Sequence, residues 1–197
     1  MKKTIFFAAV ASFFLFTVGL SAQSKYLIKE AKKTAKQLEK DGYQTRGGHK
    51  SIEAYLVSYY MLEEENELLQ GRSGGVRNND KVAQSLAKQN ALREYVQMSS
   101  SYFKGKGAEL EGTLGGETIN DITNAAVSKF EGFVDGKVSV SFVLFKTEAD
   151  GTTSAIAYCY VSKKSADEAR KEAMQDAIED VDMVKTHQDK VNEILND

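Results

Sequence analysis

Apolar residues recur every three or four positions through most of the chain, and glycines separate one such run from the next. This spacing is typical of amphipathic helices, and it predicts five of them. They are Tyr26–Asp41, ended by Gly42; Ser51 to about Glu65, with Ser51 as N-cap; Lys81–Phe103, capped by Asp80; Glu117–Phe130; and a C-terminal helix opened by the capping box Ser165–Glu168. Ala83, Ala87 and Ala91 line the third helix, so we expect another element to approach it closely there.

The period changes to strict alternation after residue 136, where Val138, Val140 and Phe142 begin a strand pattern. Asp150-Gly151 is a hairpin signal, so the two strands are predicted at about 137–147 and 152–162. A further short strand is predicted at Leu68–Arg72. The predicted class is α+β, with several α-helices packed on one face of a small antiparallel sheet built around this hairpin. The C-terminal helix keeps an apolar seam for some thirty residues, which leaves the part beyond Val181 for a partner or for the first helix.

The chain begins with the layout of a secretory signal peptide: two lysines, the apolar run Ile5–Leu20, and a predicted cleavage between Ala22 and Gln23. The domain division is therefore a signal peptide at 1–22 and a single α+β domain at 23–197. A retained membrane anchor is the alternative, because the run is close to spanning length. A lipid anchor is excluded, because Gln23 and Ser24, not a cysteine, stand directly after the cleavage point, and the only cysteine in the chain is Cys159.

Charge and composition narrow the location and the partners. Cleavage after Ala22 leaves 24 basic against 28 acidic side chains, a net charge of −4, which argues against nucleic-acid binding. No other apolar run approaches membrane length, so no transmembrane helix is expected once the signal is removed. The prediction is an exported, periplasmic protein, with outer-membrane association and release from the cell left open.

Candidate chemistry is sparse. His49 and His187 lie in different segments, no metal-ligand spacing occurs, and Cys159 lies among small residues of a predicted strand, where a core role is expected. Glu63–Glu65 and Glu67 are interpreted as the solvated end of a helix. Neither a catalytic set, nor a metal site, nor a cofactor is predicted.

Two basic segments have a binding interpretation. Arg72, Gly74, Gly75 and Arg77 precede a helix start and could hold an anion such as phosphate or a carboxylate, although Asp80 would already cap that helix; an ordinary surface loop is the alternative. The lysine-rich helix at Tyr26–Asp41 could rest on an anionic membrane, but its apolar stripe is thin, so we expect a solvated lysine face on a packed helix.

The order of an alanine-striped helix, a second helix, a hairpin and a capped helix beginning Ser165-Ala166-Asp167-Glu168-Ala169-Arg170 resembles small exported proteins of Bacteroides-type bacteria. More distantly, it is similar to the outer-membrane lipoprotein domain shared with the flagellar assembly protein T family. The segments Lys29–Lys33, Leu38–Tyr43 and Leu20–Gln23 fit the former group. The resemblance implies a compact α+β fold and carries no catalytic residues, and without the lipid-bearing cysteine it implies no tethering.

Together these features favour a non-enzymatic envelope protein that acts through protein–protein or assembly contacts. Its partner would be an unknown protein or a second copy bound through the C-terminal helix. The alternative is a periplasmic protein that binds a small ligand, an anion or a glycan through the loop 71–80 and nearby tyrosines. An enzyme is the third hypothesis, and it would need a histidine beside Cys159.

Overall fold

The computed structural model describes residues 25–77, 79–110 and 116–196, with side chains except at 109–110, 116–118 and 182–196. The predicted signal peptide and its cleavage residues, Ala22 and Gln23, therefore lie outside the described residues. The helices are α1 (25–40), α2 (Ile52–Tyr60, continued by a 3-10 turn at Met61–Glu64), α3 (Asp80–Leu110), α4 (Gly116–Asp135) and α5 (Lys163–Asn196). The strands are β1 (Asn66–Arg72), β2 (Val76–Arg77), β3 (Ser139–Thr147) and β4 (Thr152–Ser162).

The central strand of the antiparallel sheet is β4, the second strand of the predicted hairpin. It pairs with β3 on one side and with β1 and β2, end to end, on the other. Ser73 bridges the gap between β1 and β2, because its N–H donates to the Ala155 carbonyl (2.9 Å) and its Oγ accepts from the Ala155 N–H (2.8 Å). The hairpin bounds match the prediction within two residues.

Each face of the sheet carries its own core. Ala155, Ala157, Cys159 and Val161 pack with α3, α4 and α5, and we call this side the alanine face. The alternate residues Ile156 and Tyr158 pack with α1 and α2, and we call this side the aromatic face. The predicted α+β class, with its small antiparallel sheet and long C-terminal helix, is confirmed. The prediction had helices on one face only, whereas α1 and α2 cover the second.

Small residues bring α3 directly onto the sheet, as the alanine stripe predicted. Ala83, Ala87 and Ala91 are buried, and Gly71 of β1 faces Ala87 and Ala91. A Cβ at Gly71 would overlap the Ala91 nitrogen and the Ala87 carbonyl oxygen, so the helix and strand backbones are in contact. This is a close approach that only glycine permits at that position.

Two predicted helix caps are confirmed and two are wrong. The Ser51 Oγ accepts from the Ala54 N–H (3.2 Å), and Gly42 ends α1 with a φ of 87°. The N-terminus of α3 is capped by Asn79, whose Oδ1 accepts from the Val82 N–H (3.1 Å), whereas Asp80 pairs with Arg46. Helix α5 begins at Lys163, and its cap lies three residues before the predicted Ser165, because Ser162 accepts from the Ser165 N–H (3.1 Å).

Helix α5 is 34 residues long, about 50 Å, and α4 runs antiparallel beside it. Lys137 pairs with Glu172 (3.6 Å) and Lys129 with Asp180 (2.8 Å), which fixes this direction. The first helix lies on the aromatic face and α5 on the alanine face, so α4 takes the place predicted for α1. Among the helices described, none combines the length and apolar character needed to cross a membrane.

Candidate functional site

The four residues of the predicted anion loop lie at one edge of the sheet. Arg72 is opposite Ile156 and Arg77 is opposite Thr152, so both arginines emerge on the aromatic face, and both are exposed. Their partners are four positions apart on β4, which places the two arginine Cα atoms roughly 13 Å apart. Gly74 and Gly75 are exposed between them. The helix start that was expected to attract the anion already has its Asn79 cap.

The most connected polar group was not predicted, and it lies where β1, α3 and α5 meet. The Arg170 guanidinium donates to both carboxylate oxygens of Glu67 (2.7 Å each), to the Tyr95 hydroxyl (3.0 Å) and to Asp167 (3.1 Å). The Tyr95 hydroxyl in turn donates to Glu67 (2.8 Å). The guanidinium also lies over three aromatic rings at centroid distances of 5.4 to 5.8 Å: Tyr95, Tyr102 and Phe130.

The hydrogen bonds of this group hold Glu67 and Arg170 in their charged forms and leave neither side chain free to exchange a proton. Burial raises the pKa of Glu67, but hydrogen bonds from Arg170 and Tyr95 outweigh that effect and hold the pKa below its ordinary value. Burial and the hydrogen bond to Glu67 raise the pKa of Tyr95. Glu67 is therefore an ion-paired carboxylate and not part of a solvated helix end, in contrast to the exposed Glu63–Glu65. We interpret the group as a structural clasp between β1, α3 and α5.

An open groove runs along α3 on the alanine side of the molecule. Its larger recess, about 550 Å³, lies between α3 and the end of α4; its smaller recess, about 260 Å³, lies between α3 and Val140 of β3. Both include Ser85 and Lys88, so they form one α3–α4 groove. Its lining carries charges of both signs, and the apolar Leu92 also contributes to it. The charged residues are Lys81, Lys88, Arg93, Glu131 and Asp135.

The groove borders an edge of the sheet. Gln44 pairs with Phe145 through two main-chain hydrogen bonds (2.8 and 2.9 Å), so the N–H and C=O of Phe145 point away from β4. The same groups of Val143, two residues earlier, point the same way. Among the described residues, Gln44 is the only backbone partner on this side of β3. Ser139–Val143 carries no charged side chain, and Val140 is 38 % exposed.

The other candidate groups are not brought together. Cys159 is fully buried, and burial raises the pKa of its thiol to about 11, against a smaller opposite effect of Lys88. His49 is exposed, and the side chain of His187 lies outside the described part. Across the residues with described positions, no three His, Cys, Asp or Glu side chains could share a metal ion.

Comparison with protein-family models, with curated proteins and with solved structures found no match for this chain. The class established by the structure is therefore an α+β domain with a helical layer on each face of a small antiparallel sheet. The resemblance to exported proteins of Bacteroides-type bacteria and to the flagellar assembly protein T group stays a prediction.

Proposed function

We propose that this chain is an exported, non-enzymatic protein of the cell envelope that acts through protein–protein contacts. The observation that carries the proposal is the uncharged edge of β3 at Ser139–Val143, beside the α3–α4 groove. An extended segment of a partner can add to such an edge through main-chain hydrogen bonds, and nearby pockets then take alternate side chains. Val140 lies on the alanine face and lines the groove, so both features meet there.

Support for a non-enzymatic role comes from the state of the titratable groups. The carboxylate of Glu67 is engaged by Arg170, and the thiol of Cys159 is buried with a raised pKa. A catalytic carboxylate or thiol needs a free, convergent partner. Support for export comes from the sequence pattern at 1–22, and mass spectrometry of the mature N-terminus with cell fractionation tests it.

Site-specific photo-crosslinking in the producing cell tests the contact surface. A crosslinker at Ser141 should give a defined adduct, whereas one at the exposed Glu63 on the 3-10 turn should not. A crosslinker at Glu179 of α5 tests self-association through the C-terminal helix, and an adduct there alone would move the contact surface to that helix. Absence of adducts from Ser141 and Glu179, with a strict monomer in light scattering, would contradict the proposal.

A proline substitution separates main-chain pairing from side-chain contact. Val143→Pro removes an N–H that points away from β4, so it should abolish the Ser141 adduct while the protein still folds. Val143→Ala keeps the N–H and removes most of the same side chain, so it is the matched control and should retain the adduct. Equal adducts in both variants would exclude strand addition at this edge.

Binding of a small anion or glycan is a second candidate function. The observation that favours it is the position of Arg72 and Arg77, which are both exposed on the same face at one sheet edge. Sulfate, phosphate and oligosaccharides are the probes, and stabilisation against heat is the measurement.

A further inference from the structure

The lysines of α1 form a single stripe. Lys25, Lys29, Lys32, Lys33, Lys36 and Lys40 are all exposed, and at 3.6 residues per turn they fall within an arc of about 100° over about 22 Å. The carboxylates of Glu30, Glu39 and Asp41 lie outside that arc. Ala31, Ala35 and Leu38 occupy the opposite side and are buried against the sheet, so the helix cannot turn its lysines inward.

Charge is distributed very unevenly between α1 and the rest of the protein. Residues 25–41 carry six lysines and three carboxylates, a net charge of +3. Residues 42–197 carry 18 basic and 25 acidic side chains, a net charge of −7. An anionic surface would therefore attract α1 and repel the remainder, which orients the molecule with this helix toward the surface.

We propose that the lysine stripe of α1 is a docking face for an anionic lipid bilayer. A straight row of lysines on one side of a rigid helix matches a flat surface of negative headgroups, and each lysine near such a surface contributes about fivefold in affinity. Tyr26 (65 % exposed) and Ile28 (42 % exposed) flank the arc at its N-terminal end. Tyrosine is favoured at the headgroup level, so these two side chains add apolar contact at one end of the stripe.

A lipid surface fits this stripe better than an acidic polymer does. The stripe contains no arginine, the residue that recognises individual phosphates through paired hydrogen bonds. A polymer that followed the protein beyond α1 would meet the net charge of −7 on residues 42–197. A flat bilayer contacts only the exposed side of α1. This proposal therefore does not depend on which partner binds at the edge of β3.

The test is flotation of the protein, purified in the form the exporting cell produces, with lipid vesicles. Vesicles of phosphatidylcholine alone are compared with vesicles containing one quarter phosphatidylglycerol, at about 0.1 M and about 1 M salt, where the Debye length falls from about 10 Å to about 3 Å. Binding should require phosphatidylglycerol and should be lost at high salt. Insertion of an apolar segment would require neither phosphatidylglycerol nor low salt. The comparison therefore distinguishes binding through the lysines from binding through a retained signal segment.

Two triple variants with the same loss of charge locate the binding. Lys29→Gln, Lys32→Gln and Lys36→Gln together should weaken binding to the anionic vesicles about a hundredfold. Lys104→Gln, Lys164→Gln and Lys171→Gln, at exposed positions outside α1, should weaken it less than about threefold. Equal losses in both variants, or wild-type binding that ignores headgroup charge, would overturn the proposal. So would tighter binding to a soluble polyanion than to the vesicles. Thermal unfolding of both variants confirms that they fold.

Discussion

The two faces of the sheet are packed by opposite means. On the alanine face, small side chains at Ala155, Ala157 and Cys159 let α3 come down to the backbone of β1. On the aromatic face, Phe142 stacks on Tyr158 with ring centroids 4.3 Å apart, and these rings hold the helices away from the sheet. Where α3 crosses β1, small side chains permit contact between the two backbones, whereas on the aromatic face large rings fill the space between the helices and the sheet. The two faces should therefore fail under opposite substitutions.

The largest effect is expected on the aromatic face. The ring of Phe142 also packs on Tyr55 and Tyr59, with centroid distances of 5.2 and 6.1 Å. Phe142→Ala therefore leaves a cavity among the rings of Tyr55, Tyr59 and Tyr158. Substitutions of this kind cost about 3–5 kcal/mol of unfolding free energy. Phe142→Leu retains most of the volume and should cost less than half as much. Urea unfolding measures both, and equal costs would mean that the site collapses around either side chain.

On the alanine face the addition of one carbon should be damaging. Gly71→Ala places a methyl group into the backbone of α3 at Ala87 and Ala91, and overpacking costs about 3 kcal/mol where neither backbone can move. Gly74→Ala is the matched control, because nothing lies within 4 Å of a Cβ there. We expect that control to stay within about 0.5 kcal/mol of wild type. If Gly71→Ala were as mild as Gly74→Ala, the close contact of helix and strand would be wrong.

The sequence predicts the elements well and their stacking only in part. Alanines at helical spacing indicated which residues of α3 and α5 are buried, because burial follows the period of a helix. Alternation across 137–162 predicted the two strands but not their burial, because β4 is buried on both faces and a bulge places Val140 and Phe142 on opposite faces of the sheet. The second helical layer was missed because α1 shows only a thin apolar stripe, and the stripe does not say which face of the sheet it covers. The cap of α5 was misplaced because pairing of Ser162 with Asn66 in the sheet sets where β4 ends.

The clasp around Arg170 lies at the polar rim of the alanine face, and its contribution to stability should depend on pH. Arg170→Leu leaves the Glu67 carboxylate half-buried among aromatic rings and should cost about 2 kcal/mol at pH 7, less than a fully buried pair because Glu67 keeps some solvent. The pKa of Glu67 is lowered in the folded state. The stabilisation is therefore complete above the ordinary pKa of 4.5 and is lost as pH falls through the lower folded value.

The measurement for this clasp is the unfolding free energy of wild type and Arg170→Leu at pH 7 and at about pH 3. The difference between the two proteins should shrink at the lower pH, because a protonated Glu67 no longer requires a cation. A difference that stays constant would assign the role of Arg170 to its contacts with Tyr95, Tyr102 and Phe130 instead of its charge.

The candidate sites were harder to predict than the fold, for a physical reason. Glu67 appears beside a run of exposed glutamates, and the strand was predicted to begin only at Leu68. Once Glu67 belongs to β1, the period of two places it on the same face as the buried Leu69, and this spacing is the signal that could have identified the clasp. The open edge of β3 cannot be deduced in this way, because it depends on where Gln44 ends its pairing, which is a contact distant in sequence.

The smallest effect on stability is expected at the rim of the aromatic face. Arg72→Gln and Arg77→Gln together should change the unfolding free energy by less than about 0.5 kcal/mol, because both side chains are exposed and the described contacts give neither an ion pair. If this edge binds an anion or a glycan, the ligand should stabilise wild type by about 2.7 kcal/mol at a hundred times its Kd, and the double variant should lose that gain. Lys104→Gln with Lys164→Gln removes the same charge elsewhere and should retain it. Equal stabilisation of both variants would make the Arg72–Arg77 segment an ordinary surface loop and leave β3 as the candidate binding edge.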